Sequence, residues 1–356
     1  LKWAPYIRNE LKKINIEVVT SDVAIEKIRN KEVSPLSVGI IQLMADKESQ
    51  YLLKQGCVPL LLLTFESPVY ATEFFTNPSK YLLPFKSVHI FAGLSKHLQK
   101  FSGQINILKG YGFFDESEIV TPLDWEKRDM LVFVTSNIYP LSISRKYLSH
   151  YSTYPLFFKR LLKLIFSFKF HQIFNNSFIS LSNIRYDSII YFGKRKVLKI
   201  YGRGWDNLNH LPYEYRTEIN KIYDVLKPES CEDKIKTISK FKFSICYENA
   251  RYSGYISEKI IECFVAGTIP IYFGAPDILD FIPKNCFIDF SDFNNLDELY
   301  LYLQNLDTLD ALKYIQNAQN FLKSAEGNKF SFNYFQNTIF KSILSSLDSN
   351  KKQSIL

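Results

Sequence analysis

Residues 241–274, FKFSICYENARYSGYISEKIIECFVAGTIPIYFG, constrain the fold of the chain more than any other stretch. Phe243, Ile245 and Tyr247 alternate with Lys242, Ser244 and Cys246, which predicts a strand ending at polar Glu248 and Asn249. A helix is expected from about 255–258, with Ser257 as N-cap and Glu258 in the first turn. Ile260, Ile261, Phe264 and Val265 form its buried stripe, Gly267 is the natural stop, and Ile269–Phe273 reads as the next buried strand. A strand–loop–helix–strand unit of this length implies a parallel sheet with a right-handed crossover. Such sheets bind ligands beyond the carboxyl ends of their strands, beside helix N-termini that favour phosphate.

The polar residues of this loop are expected on one rim: Glu248, Asn249, Arg251, Tyr255, Glu258 and Lys259. A carboxylate there can take two ribose hydroxyls, and an ammonium can neutralise a diphosphate. By periodicity alone the stretch equally fits a surface helix with an ordinary Glu-Lys start.

The same residues resemble the donor-binding motif of the α-1,3/4-fucosyltransferases, glycosyltransferase family 10, whose pattern runs FENS…GY(V/I)TEK before an IP(I/V) strand. Here the motif reads YENA, GYISEK and TIPIYFG, with Tyr247 for the usual Phe and Ser257 for the usual Thr. The resemblance covers about a tenth of the chain, but a motif this long is far more specific than a lone glycine loop. It implies an α/β fold of GT-B type, two Rossmann-like domains facing across a cleft. It also implies GDP-fucose as donor and no required cofactor, a divalent metal being at most stimulatory.

A chain of 356 residues suits two domains, and 46% hydrophobic with 22% charged residues is ordinary globular composition. The net charge of +8 suits nucleic acid, an anionic membrane or phosphorylated substrates alike, so charge decides nothing. The five cysteines form no CxxC pair, which favours buried free thiols in a reducing compartment. No apolar run approaches the about 18 residues of a spanning helix. The expected location is cytoplasmic, peripheral on the inner face of a membrane, or the Golgi lumen if an anchor precedes Leu1.

Residues 1–127 read as an N-terminal, acceptor-binding α/β domain. A basic helix opens it, and strands are expected at 16–19, 38–43, Val58–Leu63, 88–92 and Ile105–Leu108. The apolar run VPLLLL ends in FESPVY, which sets Glu66 just beyond a strand's carboxyl edge. By position alone such a Glu is ordinarily solvated. The motif, however, resembles the FESPSH of eukaryotic family members up to Pro68, and that resemblance assigns Glu66 as general base. Val69 and Tyr70 depart from it.

Residues 128–356 read as the GDP-sugar-binding domain. LVFVT (131–135) ends in Ser136 and Asn137, which resembles the SN turn that opens the family's donor domain. The family then carries a phosphate-binding Arg, for which Arg145 and Arg185 are both candidates. Arg185 is favoured, because RYDSII stands one helix before the strand VLKIYGRGW (197–205), resembling the family's RYYxxL…VYGR arrangement. About 138–184 then becomes an insertion. Within it, 154–174 interleaves Lys159, Arg160, Lys163 and Lys169 with Leu and Phe, as a peripheral membrane helix would. A helical hairpin packed on its own domain, its lysines snorkelling, fits the same pattern. FIPKNCFIDFSDF (281–293) continues the resemblance, and Leu296, Leu299, Leu303 and Leu306 give a helical stripe before a polar, frayed tail at 349–356.

Transfer of a sugar from a nucleotide diphosphate needs a base for the attacking hydroxyl and positive charge for the leaving diphosphate. A single carboxylate with cationic leaving-group partners suits direct inverting displacement, and no Asp-x-Asp motif suggests a required metal. Position 266, where a Glu-x7-Glu motif from Glu258 would need its second carboxylate, is alanine. By resemblance, Glu258 takes ribose, Lys259 and Arg185 take phosphates, and Tyr255 and Asn249 take the sugar and diphosphate region. The acceptor is an oligosaccharide, lipopolysaccharide or glycoprotein glycan, attacked through O3 of an N-acetylglucosamine-type residue. The alternatives are another GDP-sugar on the same scaffold and a basic nucleic-acid-binding module. The latter is disfavoured by dispersed charge and the lack of any RNP, zinc or helix-turn-helix pattern.

Overall fold

The structure is a computed structural model, and it describes residues 3–43, 47–64, 66, 74, 78–85, 87–91, 105–108, 112–137 and 179–353. Arg145, the 154–174 segment and most of the expected insertion lie outside these residues, as do Phe65 and 67–70. Two compact units result, one of residues 1–113 with 329–356, the other of residues 114–328.

The first unit is built on four parallel strands in the order β1 (Gly39–Leu43), β2 (Val58–Leu63), β3 (Val88–Phe91) and β4 (Ile105–Leu108). Leu61 and Leu63 are fully buried, and Trp3, Ile7 and Leu11 of the opening helix Ala4–Lys13 pack on the same core. The expected strand at 16–19 is absent. Ile16 and Val18 still pack on that core, but residues 16–19 join no ladder among the described residues.

The helix Phe332–Gln353 also belongs to this unit, which corrects the division at 127/128. Phe335, Ile339 and Ile343 recur every fourth residue and fill the space over β2 beside Trp3. Burial of that stripe recruits the end of the chain to the first unit's core. The helix also runs through 349–353, where polarity predicts fraying.

The second unit holds five parallel strands: β5 (Asp129–Val134), β7 (Leu198–Tyr201), β8 (Phe241–Tyr247), β10 (Ile269–Phe273) and β11 (Ile288–Asp289). A separate antiparallel pair joins β6 (Ile179–Ser180) to β9 (Ala250–Arg251). The spatial order of the large sheet is β11-β10-β8-β5-β7. The expected strand at 197–205 is therefore shorter, because Gly202 and Gly204 turn the chain away at positive φ. A side chain on Gly202 would lie 2.2 Å from the Thr135 carbonyl oxygen, so only glycine fits there.

The 241–274 unit folds as its sequence implies. Its helix runs Glu258–Ala266 from N-cap Ser257 and stops at Gly267, which adopts φ 66° and ψ 35°. Buried Arg128 donates to the Gly267 carbonyl at 2.6 Å and to the Leu123 carbonyl, fastening the helix end to the segment that leads into β5. Among the described residues no helix is long and apolar enough to cross a membrane.

Candidate functional site

The strand order places a topological switch point between β5 and β8. The connection after β5 runs to β7 on one side, through the helix Ser182–Lys194, whereas the connection after β8 runs to β10 on the other. The carboxyl ends of these two neighbours diverge into a crevice, the position at which open parallel sheets bind ligands.

From the β5 side come Thr135, Ser136, Asn137 and Arg185. Ser136 is exposed, while Asn137 is only 4% exposed and spends its amide internally. Its Nδ2 donates to the carbonyls of Gly204 (2.8 Å) and Asn207 (3.2 Å), and its Oδ1 accepts from the Tyr186 hydroxyl at 2.8 Å. Asn137 thus clips the β7 turn to β5. Half-buried Arg185 donates from Nη1 to Asn249 Oδ1 at 2.8 Å and from Nη2 to Thr135 Oγ1, with its guanidinium 5.5 Å from the Phe133 ring centre. Arg185, Thr135, Ser136 and Trp205 line a small recess at this edge.

From the β8 side, Glu248 is fully buried rather than on the rim. It accepts from the Ser257 amide and the Ser257 hydroxyl, both at 2.7 Å, and from Lys259 Nζ at 3.1 Å. The N-cap therefore works in reverse of the usual pattern: the Ser257 hydroxyl donates backwards to Glu248 and accepts from no backbone amide of its own helix. Lys259, its side chain 14% exposed, also donates to Ser257 Oγ at 2.8 Å. Burial and the nearby Arg185 favour its neutral form, but the Glu248 and Glu258 carboxylates prevail and raise its pKa, so the ammonium stays charged.

Asn249 connects the two sides, since its Nδ2 lies 3.4 Å from the hydroxyl of buried Tyr255. The loop carrying Tyr255 is held by Asp277, which accepts from the Gly254 amide at 2.7 Å and from the Ser253 hydroxyl. Glu258 is partly exposed. Partial burial opposes its ionisation, yet Lys259 and Lys234 together hold its carboxyl below the usual range. Arg251 turns to other neighbours, its guanidinium 5.0 Å from the Phe273 ring centre and 3.5 Å from Ser291 Oγ. Glu66, in the first unit, is half-buried on a bend just beyond β2.

Of the expected residues, Arg185, Asn249, Tyr255, Lys259, Glu258 and exposed Ser136 thus gather at one sheet edge, while Glu248 and Asn137 brace it from beneath. Sequence reasoning missed Thr135, Trp205, Lys234 and Asp277. Thr135 was visible as the polar end of an apolar strand; Lys234 and Asp277 stand in loops and short helices that carry no pattern.

Chemically the edge offers two cations beside a helix start, a carboxylate and an aromatic hydroxyl, a set suited to a nucleoside diphosphate. Residues 198–328 match the profile of glycosyltransferase family 10 (fucosyltransferase), C-terminal part. An alpha-(1,3)-fucosyltransferase, FucT, of Helicobacter pylori is 37% identical over 114 residues, 32% of this chain and 23% of that protein. The mouse 4-galactosyl-N-acetylglucosaminide 3-alpha-L-fucosyltransferase 9 is 34% identical over 110 residues, 28% of this chain and 31% of that protein. The chain thus spans less than a third of either relative. Over a longer stretch, Anabaena Alr3699/HepE, solved with UDP and glucose, superposes with a TM-score of 0.53 at 11% identity, covering 86% of this chain and 78% of that one. That likeness bears on the fold alone, which is of GT-B type with two parallel α/β units in one chain.

Proposed function

With a glycosyltransferase family 10 domain at residues 198–328 as premise, we propose that the chain transfers fucose from GDP-fucose to a hydroxyl of a glycan acceptor, with inversion at the anomeric carbon. The observation that carries this reading is the meeting of Arg185, Asn249 and Tyr255 with Lys259 and Glu258 at the switch point of one parallel sheet. Lys259 and Arg185 neutralise the departing diphosphate, and the start of the Glu258–Ala266 helix adds its partial positive charge. Glu258 takes the ribose hydroxyls. Tyr255 and Asn249 orient the diphosphate and sugar. Glu66, in the first unit, removes the proton of the attacking hydroxyl, which is O3 of an N-acetylglucosamine-type residue. The second unit is the donor domain and the first the acceptor domain. Charge neutralisation by side chains leaves no step that requires a metal.

The test is transfer from labelled GDP-fucose and, in parallel, GDP-mannose to an array of N-acetylglucosamine-terminated and lactosamine-type glycans. Fucosylated product with the donor's β-linkage converted to α is the expected result. Transfer of mannose with equal efficiency would move the assignment to another GDP-sugar on this scaffold. Failure to bind GDP at all would end it.

A further inference from the structure

Behind Glu258 stands a charge arrangement that the reaction scheme above does not use. Lys234 opens the short helix Lys234–Ile238, which is fixed at both ends. The Asp233 side chain accepts from the Lys236 amide, and buried Thr268, at the start of β10, donates to the Ile238 carbonyl at 2.9 Å. From that anchored position Nζ of Lys234 lies 3.7 Å from Glu258 Oε1 and in contact with Glu262 Oε2. Glu258 and Glu262 are four apart on one helix, so both carboxylates face the same ammonium. The three side chains are unequally exposed, Glu258 44%, Lys234 30% and Glu262 17%. Glu262 is the inner partner, and Glu258 reaches outward.

We infer that Lys234 is a positioning residue that aims the Glu258 carboxylate at the ribose hydroxyls of the donor. The inference rests on the reading of Glu258 as the ribose partner. An ammonium has three donors and no fixed plane, so it serves both carboxylates at once. One Glu258 oxygen is turned towards Lys234, and the other is left to accept from a diol. Without Lys234 that oxygen loses its partner and the more exposed carboxylate is free to turn away from the diol, with or without the added repulsion of the Glu262 charge one helical turn along. Burial raises the pKa of Glu262 despite its contact with Lys234, whereas at Glu258 burial is outweighed by Lys259 and then Lys234, which lower its pKa and keep the outer carboxylate ionised.

The test measures GDP and 2′-deoxy-GDP affinity by calorimetry for wild type, K234M, K234R and the double variant K234M/E262Q. The double variant removes the inner carboxylate that K234M would leave without its cation, so it stays informative if the single variant fails to fold. Wild type should prefer GDP by about tenfold or more, the worth of a hydrogen bond to a charged group. K234M and K234M/E262Q should reduce the preference to about twofold or less, by the same reasoning, while K234R retains most of it. A mere structural role for Lys234 would weaken both nucleotides equally and leave the ratio intact. A wild type that prefers GDP together with a K234M/E262Q that keeps the full preference would overturn the inference alone. A wild type that does not distinguish the two nucleotides would overturn the ribose reading of Glu258, and the inference with it.

Discussion

Arg185 Nη1 donates to Asn249 Oδ1 at 2.8 Å across 64 residues of sequence. The bond joins the helix that follows β5 to the loop that follows β8, the two connections that part at the switch point of the sheet. β6 pairing with β9, and the Leu181 amide donating to the Asn249 carbonyl at 3.2 Å, repeat the same tie through the backbone. A nucleotide bound in the crevice as proposed would meet a guanidinium already aimed, and little side-chain entropy would remain to be lost on binding.

Arg185→Ala and Lys259→Ala should each weaken GDP by about tenfold to a hundredfold, the range of a charge-assisted hydrogen bond to phosphate. Arg185→Lys should rescue little, because an ammonium cannot reach Thr135 and Asn249 together in the planar fork that the guanidinium uses. Calorimetric titration of GDP decides both points. Unchanged affinity in either alanine variant would remove that residue from the diphosphate site.

Glu66→Ala should lower transfer by about a hundredfold or more, the usual worth of a general base, and leave GDP affinity at the wild-type value. The two readouts separate a base from a donor ligand. Turnover within about tenfold of wild type would exclude Glu66 as base.

The side of the candidate site that follows β8 was legible as structure because its residues fall in one run of sequence whose period changes from strand to helix to strand. Glu258, Lys259 and Gly267 take the positions that this rhythm implies. Glu248 was not legible as a buried brace. A carboxylate at a strand end looks solvated until the Ser257 amide, the Ser257 hydroxyl and Lys259 are seen to enclose it. Asn137 was hidden for the same reason, since its partners are backbone carbonyls of a turn 67 to 70 residues away. Recruitment of the last helix to the first unit was equally invisible. The apolar period of Phe335, Ile339 and Ile343 states that one face is buried, but not against which core.

His89 predicts how the first unit responds to pH. It is 2% exposed on β3, its Nε2 is 2.8 Å from Ser342 Oγ, and burial lowers its pKa from 6.5 to about 4. The unfolded chain therefore binds the proton more readily than the folded one between those values. Stability is full above pH 6.5 and falls as pH drops towards 4, by about 3 kcal/mol in total for a shift of this size. His89→Leu should flatten the part of the pH dependence that lies in this window, and Ser342 keeps a partner in the Thr338 carbonyl at 2.9 Å. Urea unfolding of both proteins at pH 7 and pH 5 measures the difference; equal slopes would exclude His89 as its source.

Glu248 is expected to couple the stability of the second unit to the proposed nucleotide binding, because it braces both Ser257 and Lys259. Glu248→Ala deprives the Ser257 amide of its acceptor and leaves Lys259 without its nearest carboxylate in a buried setting. Breaking a buried pair in this one-sided way should cost about 3–5 kcal/mol. Glu248→Gln still accepts from Ser257 but cannot balance the ammonium, so it should cost less while weakening GDP through a displaced Lys259. The double variant Glu248→Ala with Lys259→Met removes the stranded charge as well. It should recover at least about 1 kcal/mol relative to the sum of the single changes, the coupling expected of residues in direct contact. Denaturant midpoints for the four proteins close the cycle. Strict additivity would mean that the two side chains do not depend on each other, and that the Lys259 ammonium is held in place by Ser257 and Glu258 instead.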